Sequence, residues 1–243
     1  MNKVEFASPA IKRTRAPGRP PKSSSLGADK RAAILDAGEL LFADHGFYGV
    51  SVRDVAKHAG VDVALLYYYF ATKRDLFDAV FERRAAILNQ ARMESIDAYE
   101  AATPVEQLTV EGTLDAFLRP TLNQAATDDP GWRAYFALVA QVNNTPIWGG
   151  QTMARYFDPV IQRLIALLRK VMPDVDEADV YWCYNFLSGS LTLAFSVTGR
   201  IDILSNGVCR SSDFTSIQDR LAKYAAAGFM EVCNRRRRSS IAP

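Results

Sequence analysis

The sequence predicts an all-α fold, and three observations carry that reading. Apolar residues recur at intervals of three and four, and no stretch alternates apolar with polar as a half-buried strand would. Helix-start signals recur along the chain: Ser51 with Asp54, Thr72 with Asp75, Thr103-Pro104 with Glu106, Asp129-Pro130, and Pro173-Asp174 ahead of an acidic turn. The 243 residues, 49% hydrophobic and 23% charged, have ordinary globular composition and can bury a core, which excludes collagen, charge-rich disorder and low-complexity arrays.

The first helix is expected over 30–45, with Ile34, Ala37, Leu41 and Phe42 on one face and Gly46 as its stop. Ser51 caps a short helix over 52–59. Gly60-Val61-Asp62 then turns into a second short helix over 63–70. Thr72 opens a long helix over 73–95, and helices over 104–122 and 130–143 follow their cap-plus-proline starts. The next, 151–172, carries Pro159 and is expected to kink or restart there. The last two span 175–200 and 212–235, the final one opened by Ser211 or Ser212.

A net charge of +2 conceals a segregation. Residues 1–31 hold eight basic and two acidic side chains, whereas 101–234 hold ten basic and fourteen acidic. One end is built to meet a polyanion and the body is not. Cys183, Cys209 and Cys233 make no paired spacing, so a reducing, cytoplasmic setting is expected; His45 and His58 leave little for a metal, and no cofactor is implied. No apolar core follows the N-terminal charges, so no secretory signal is expected. Val180–Gly199 is uncharged over 20 residues, but Asn185, Ser188, Ser190, Thr192 and Ser196 make it too polar for a lone membrane span.

The informative window is 30–81. Two helices of about two turns, joined by three residues with glycine first, form a helix-turn-helix. Gly60 can take the left-handed conformation that stops the first helix. Ala56 and Ala59 let the second cross closely, and Val52, Val55, Val61, Leu66 and Phe70 fill the space between. Phe42, Gly46, Phe47, Val52, Val55-Ala56, Ala59-Gly60-Val61, Leu66-Tyr67, Tyr69-Phe70, Lys73 and Leu76-Phe77 together resemble the DNA-binding domain of TetR-type transcriptional repressors. The resemblance covers roughly residues 28–81. It implies an all-helical homodimer whose C-terminal domain binds a small molecule and releases DNA. The expected organisation is a disordered basic arm over 1–27, a helix-turn-helix domain over 28–75, a helical ligand-binding and dimerisation domain over 76–236, and a disordered tail over 237–243.

The second helix of the motif is expected in the major groove, offering Val63, Ala64, Leu65 and Tyr68 to base edges. Where many relatives of this type have Ser, Gly, Thr and His, this chain has Asp62, Ala64, Leu65 and Tyr68. Asp62 is read as the helix cap, and Ala64 and Leu65 as contacts for thymine methyl groups. Ser51, Arg53, Tyr67 or Tyr68, and Lys73 are placed for phosphates, Ser51 doubling as a cap. Of the two tyrosines, Tyr67 is expected in the core and Tyr68 outside. Arg19 and Lys22 of the arm are minor-groove candidates, with a general polyanion tether as the alternative. Arg235–Arg238 read as a solvated helix terminus.

Aromatic side chains on separate helices line the rest. Trp132, Phe136, Asn143, Trp148, Phe117 and Tyr184 are the candidates for a small, apolar effector, against a background in which most aromatics simply pack. The uncharged run, with Gly189 and Leu193, and the last helix, with Leu221, Tyr224, Ala225, Gly228 and Phe229, are expected to form a dimer interface as a four-helix bundle. The chain carries no G-x-S-x-G, H-E-x-x-H, phosphate loop or Cys/His cluster, so no enzyme is expected. The leading expectation is a ligand-released homodimeric repressor on a palindromic double-stranded operator. An activator or architectural DNA-binding protein of the same fold is the alternative.

Overall fold

The computed structural model describes residues 22–233, with side chains from Gly27 onward. Among these residues every regular element is helical. The elements are α1 (Lys22–Gly49), α2 (Val52–His58), α3 (Val63–Tyr69), α4 (Lys73–Ala102), α5 (Val110–Ala125), α6 (Pro130–Asn143), α7 (Gly149–Val171), α8 (Glu177–Ser196), α9 (Arg200–Leu204) and α10 (Phe214–Cys233), with one 3₁₀ turn at Val105–Gln107. The expectations for Arg19, the rest of the arm to residue 21, and Arg235–Arg238 lie outside the described residues, as does the side chain of Lys22.

Several boundaries depart from the sequence reading, each for a local reason. The first helix starts at Lys22 rather than 30, and the Tyr69 hydroxyl donates to the Gly27 carbonyl at 3.0 Å, tying that extension to α3. Gly46 breaks its helical geometry at φ 70°, as the glycine implied, and a last turn follows to Gly49. Thr103 ends α4 instead of capping α5; Thr109 is the cap, accepting from the Gly112 N–H at 3.0 Å. Asp176, two residues beyond Asp174, caps α8 through the Ala178 N–H at 2.8 Å. Asp213 starts α10, accepting from the Ser216 N–H at 2.9 Å, while Ser211 Oγ instead accepts from the Gly199 N–H at 3.2 Å. The helix expected over 175–200 splits, because Val197 (φ 41°) and Gly199 (φ 70°) are left-handed.

Pro159 neither restarts nor interrupts α7. It lies on the exposed side, where water can satisfy the carbonyl that loses its partner. Phe157, Val160, Ile161 and Leu164 on the buried side hold both halves against the bundle.

Helix α1 packs against α6 and α4, and it carries α2 and α3 at its end. Helices α4, α5, α6, α7, α8 and α10 form the larger bundle, with α5 between α4 and α10. The two parts are joined by ionic contacts as well as apolar ones. Glu39 on α1 is almost fully buried and accepts from Nε and Nη2 of Arg84 on α4, at 2.5 and 2.8 Å, and from Nη2 of Arg83 at 3.0 Å. A second network on α4 joins Glu100 to Arg163 and to Lys170, the latter at 2.7 Å. Among the described residues, no helix is long and apolar enough to cross a membrane.

Candidate nucleic-acid interface and effector cavity

The corner between α2 and α3 is a Schellman stop. Gly60, at φ 65°, donates to Lys57 O at 3.2 Å, and the Val61 N–H donates to Ala56 O at 3.0 Å. At the start of α2, the Ser51 N–H donates to Asp54 Oδ2 at 2.9 Å and the Asp54 N–H to Ser51 Oγ at 3.2 Å, which completes a capping box. The hydrogen bonds from Ser51 hold the Asp54 carboxyl below its ordinary range. Thr72 and Asp75 repeat the box at α4, and Asp62 caps α3 through the Ala64 N–H at 2.7 Å. Val55, Leu66, Phe70 and Ile34 are buried between the three helices, with Val61 partly so.

What α3 leaves outside is Asp62, Ala64, Tyr67 and Tyr68, with Val63 and Leu65 half-buried and Arg53 exposed on α2. Tyr67 is therefore not a core residue. It is 52% exposed, and Tyr68 is 79% exposed; Tyr69, whose hydroxyl reaches Gly27, is the tyrosine that packs inward. The seven-residue α3 turns one face to Leu66 and Phe70, so 67 and 68 both fall on the far side. Lys73 at the head of α4 places Nζ 4.5 Å above the Phe47 ring, and partial burial lowers its pKa.

The cavity inside the bundle lies between α4, α5, α6, α7 and α8. It brings together Phe117, Phe136, Asn143 and Tyr184 from the expected set. Sequence reasoning missed Arg92, Thr121, Met153, Phe157, Leu191, Thr192 and Phe195, which also line it. Only about 40 Å³ is open to the centre of a water molecule, room for a few waters. Asn143 sits at its mouth, with Nδ2 donating to Thr192 Oγ1 at 2.5 Å and Ser188 Oγ at 3.2 Å. A polar crevice of about 380 Å³ along the α6 terminus and α8 shares Asn143, Ser188 and Thr192 with the cavity.

Trp132 and Trp148 do not line this cavity. Trp132 packs on Tyr135 and Phe136 beneath the Arg84 guanidinium. Trp148 sits where the helix-turn-helix meets the bundle: its ring contacts Phe47 and Phe77 with centroids 5.4 and 5.3 Å apart, Arg74 covers it, and Nε1 donates to Tyr48 Oη at 3.1 Å. Aromatic content foretold apolar surroundings but not which ones. Of the expected dimer residues, Gly189, Leu193, Tyr224 and Gly228 are exposed beside a groove of about 750 Å³, and Ala225 and Phe229 form its floor. Leu221 does not line that groove; it is buried against its own chain.

Comparison with known proteins agrees with this geometry. The family described as "Bacterial regulatory proteins, tetR family" matches residues 34–80, and "Tetracyclin repressor-like, C-terminal domain" matches 115–228. The transcriptional regulator BetI of Agrobacterium fabrum is 26% identical over 156 residues, covering 62% of this chain and 69% of that protein. The transcriptional repressor KstR2 of Mycolicibacterium smegmatis is 32% identical over 97 residues, covering 37% of this chain and only 42% of its own length. The fatty acid degradation regulator FadR of Bacillus halodurans shares the fold at TM-score 0.59 and 18% identity, covering 82% of this chain and 95% of that one. With a helix-turn-helix and a C-terminal bundle that both match, the chain belongs to the TetR family of bacterial transcriptional regulators.

Proposed function

We propose that this protein is a homodimeric repressor that binds a palindromic operator through α3 and leaves it when a small apolar molecule enters the bundle cavity. The observation that carries the reading is the two-turn α3, held on its inner side by Leu66 and the Gly60 corner, with Ala64, Tyr67 and Tyr68 turned outward. A helix so mounted is the size and shape that a major groove admits. The repressor named KstR2 and the fatty acid degradation regulator FadR, both similar to this chain, favour repression and an apolar effector.

Dimerisation is supported by the outer face of α8 and α10. Trp182, Phe186, Leu193 and Tyr224 are 60%, 58%, 67% and 73% exposed; Trp182 stacks on Phe186, and Phe186, Leu193 and Tyr224 line one groove, an apolar face of the kind that marks an interaction surface. Two copies would close it as a four-helix bundle and set two α3 helices on a two-fold axis.

Helix α6 offers the route from cavity to DNA. Phe136, Val139 and Asn143 face the cavity. On the other side Gln141 Nε2 donates to the Ala43 carbonyl of α1 at 2.6 Å, and Trp148, five residues past the helix, abuts Phe47 and Tyr48. A ligand that favours a displaced α6 would move α1 and change the spacing of the two heads, by no more than its difference in affinity for the two states.

The test is selection of bound duplexes from random DNA at low salt, followed by fluorescence anisotropy on the recovered site. A symmetric site bound at least about a thousandfold more tightly than scrambled DNA is expected for a specific regulator. Light scattering should give a dimer, and Leu193→Glu a monomer with weakened operator binding. Equal affinity for site and scramble would reject the reading.

A further inference from the structure

Arg92 is the charge in the bundle that the fold leaves uncompensated. It lies on the apolar stripe of α4, among Phe81, Ala85, Leu88 and Ile96, and is 5% exposed. The other half-buried arginines on this bundle have carboxylates: Arg83 and Arg84 share Glu39, and Arg163 takes Asp97 and Glu100. Arg92 forms no ion pair among the described residues. Its Nε donates to Thr121 Oγ1 at 2.6 Å, and its guanidinium lies 4.5 Å above the Phe117 ring. Burial lowers its pKa to about 10, which still leaves it cationic at neutral pH.

Burying a guanidinium without a counter-charge is costly, and such residues are almost never found inside a protein unless paired. One hydrogen bond and the faces of Phe117 and, more distantly at 5.9 Å, Phe157 offset only part of that cost. Arg92 also lines the cavity, whose other walls are mainly Leu88, Phe117, Phe136, Phe157 and Phe195. With Nε held by Thr121, the Nη1–Nη2 edge remains for a planar two-oxygen acceptor, the pairing that guanidinium geometry favours.

We propose that the cavity takes an apolar molecule carrying a single carboxylate, whose acid group pairs with Arg92 while its hydrocarbon lies against the surrounding phenylalanines. This rests on reading the cavity as the effector site. The free volume is too small for such a molecule, so entry requires the cavity to open; the polar crevice shared through Asn143, Ser188 and Thr192 is the side from which it would open. The incoming acid supplies the missing counter-charge, so the ligand that forces the bundle apart is also the one that relieves its buried cation.

The test uses the full-length chain and four probes of one chain length: decanoate, 1-decanol, decylamine and decyl phosphate, titrated calorimetrically. Decanoate should bind about 30-fold or more tightly than 1-decanol, equivalent to about 2 kcal/mol, and decylamine should not bind. Arg92→Met, which keeps the volume and removes the charge, should bring decanoate to within about threefold of 1-decanol. Should Arg92→Met fail to fold, the four probes on the unmodified chain decide alone. The proposal is overturned if 1-decanol or decylamine matches decanoate, if decyl phosphate exceeds it, if no probe binds, or if folded Arg92→Met keeps the preference. Operator binding is measured on the same preparation. A chain that shows the acid preference but no operator binding refutes the regulatory reading alone; one that binds its operator and no probe refutes the acid site alone.

Discussion

Replacing Arg53 by alanine tests the DNA face most directly. Arg53 is exposed on α2, and the neighbouring Asp54 carboxylate is engaged by Ser51, so the arginine is available to a phosphate. Each phosphate contact contributes about 0.9 to the slope of log affinity against log salt, so two lost contacts in a dimer should reduce its magnitude by about 1.8. Between about 50 and 200 mM salt, that difference makes the advantage of the parent protein over Arg53→Ala shrink by about tenfold. Anisotropy titrations at four salt concentrations, on the selected site and on scrambled DNA, measure it. Both duplexes should weaken alike, because a phosphate carries no sequence information. A slope unchanged within about 0.5 would refute the phosphate contact, and a loss confined to one sequence would make Arg53 a base reader instead.

Three further outcomes are expected. At Gly60 an added Cβ meets nothing within 4 Å, so Gly60→Ala should cost only the left-handed strain, about 1 kcal/mol in urea unfolding, and Gly60→Asn should recover part of it; a loss above about 3 kcal/mol would mean the corner is sterically closed. Trp148→Ala should keep effector binding, measured calorimetrically, yet weaken the effector's power to release DNA; undiminished release would remove Trp148 from the route between the two parts. Glu100, held below its ordinary pKa chiefly by the hydrogen bond from Lys170 and then by Arg163, should stabilise the fold above its unfolded pKa of about 4.3 and lose that contribution as pH falls through its lower folded value. Urea midpoints followed from pH 7 to 3 should therefore decline less for Glu100→Gln than for the parent chain.

Much of the fold was legible because its start signals are local. Ser51, Thr72, Asp62 and Asp129 all cap the helices expected of them, since each needs only its own next three residues. Thr103, Asp174 and Ser212 carried similar local signals and were passed over for Thr109, Asp176 and Asp213, because which of two adjacent caps is used depends on where the helix must land on its neighbours. Tyr67 was misplaced for a related reason: sequence adjacency to Leu66 does not put a side chain on the same face of a helix. Phe136 on α6 and Trp148 in the turn before α7 are both aromatics in apolar surroundings, and only tertiary packing sends one to the cavity and the other to the DNA-domain junction. Arg92 did carry a readable signal. A lone arginine stands at the position where α4 continues Phe81, Ala85, Leu88 and Ile96.

The buried Glu39 governs how such proteins can be recombined. A reading head grafted from this chain at residue 75 would take Glu39 along but abandon Arg83 and Arg84, stranding a carboxylate inside an apolar seam. The viable splice falls beyond Arg84, so the helix-turn-helix of this protein is exchangeable only as a unit that includes more than three turns of α4.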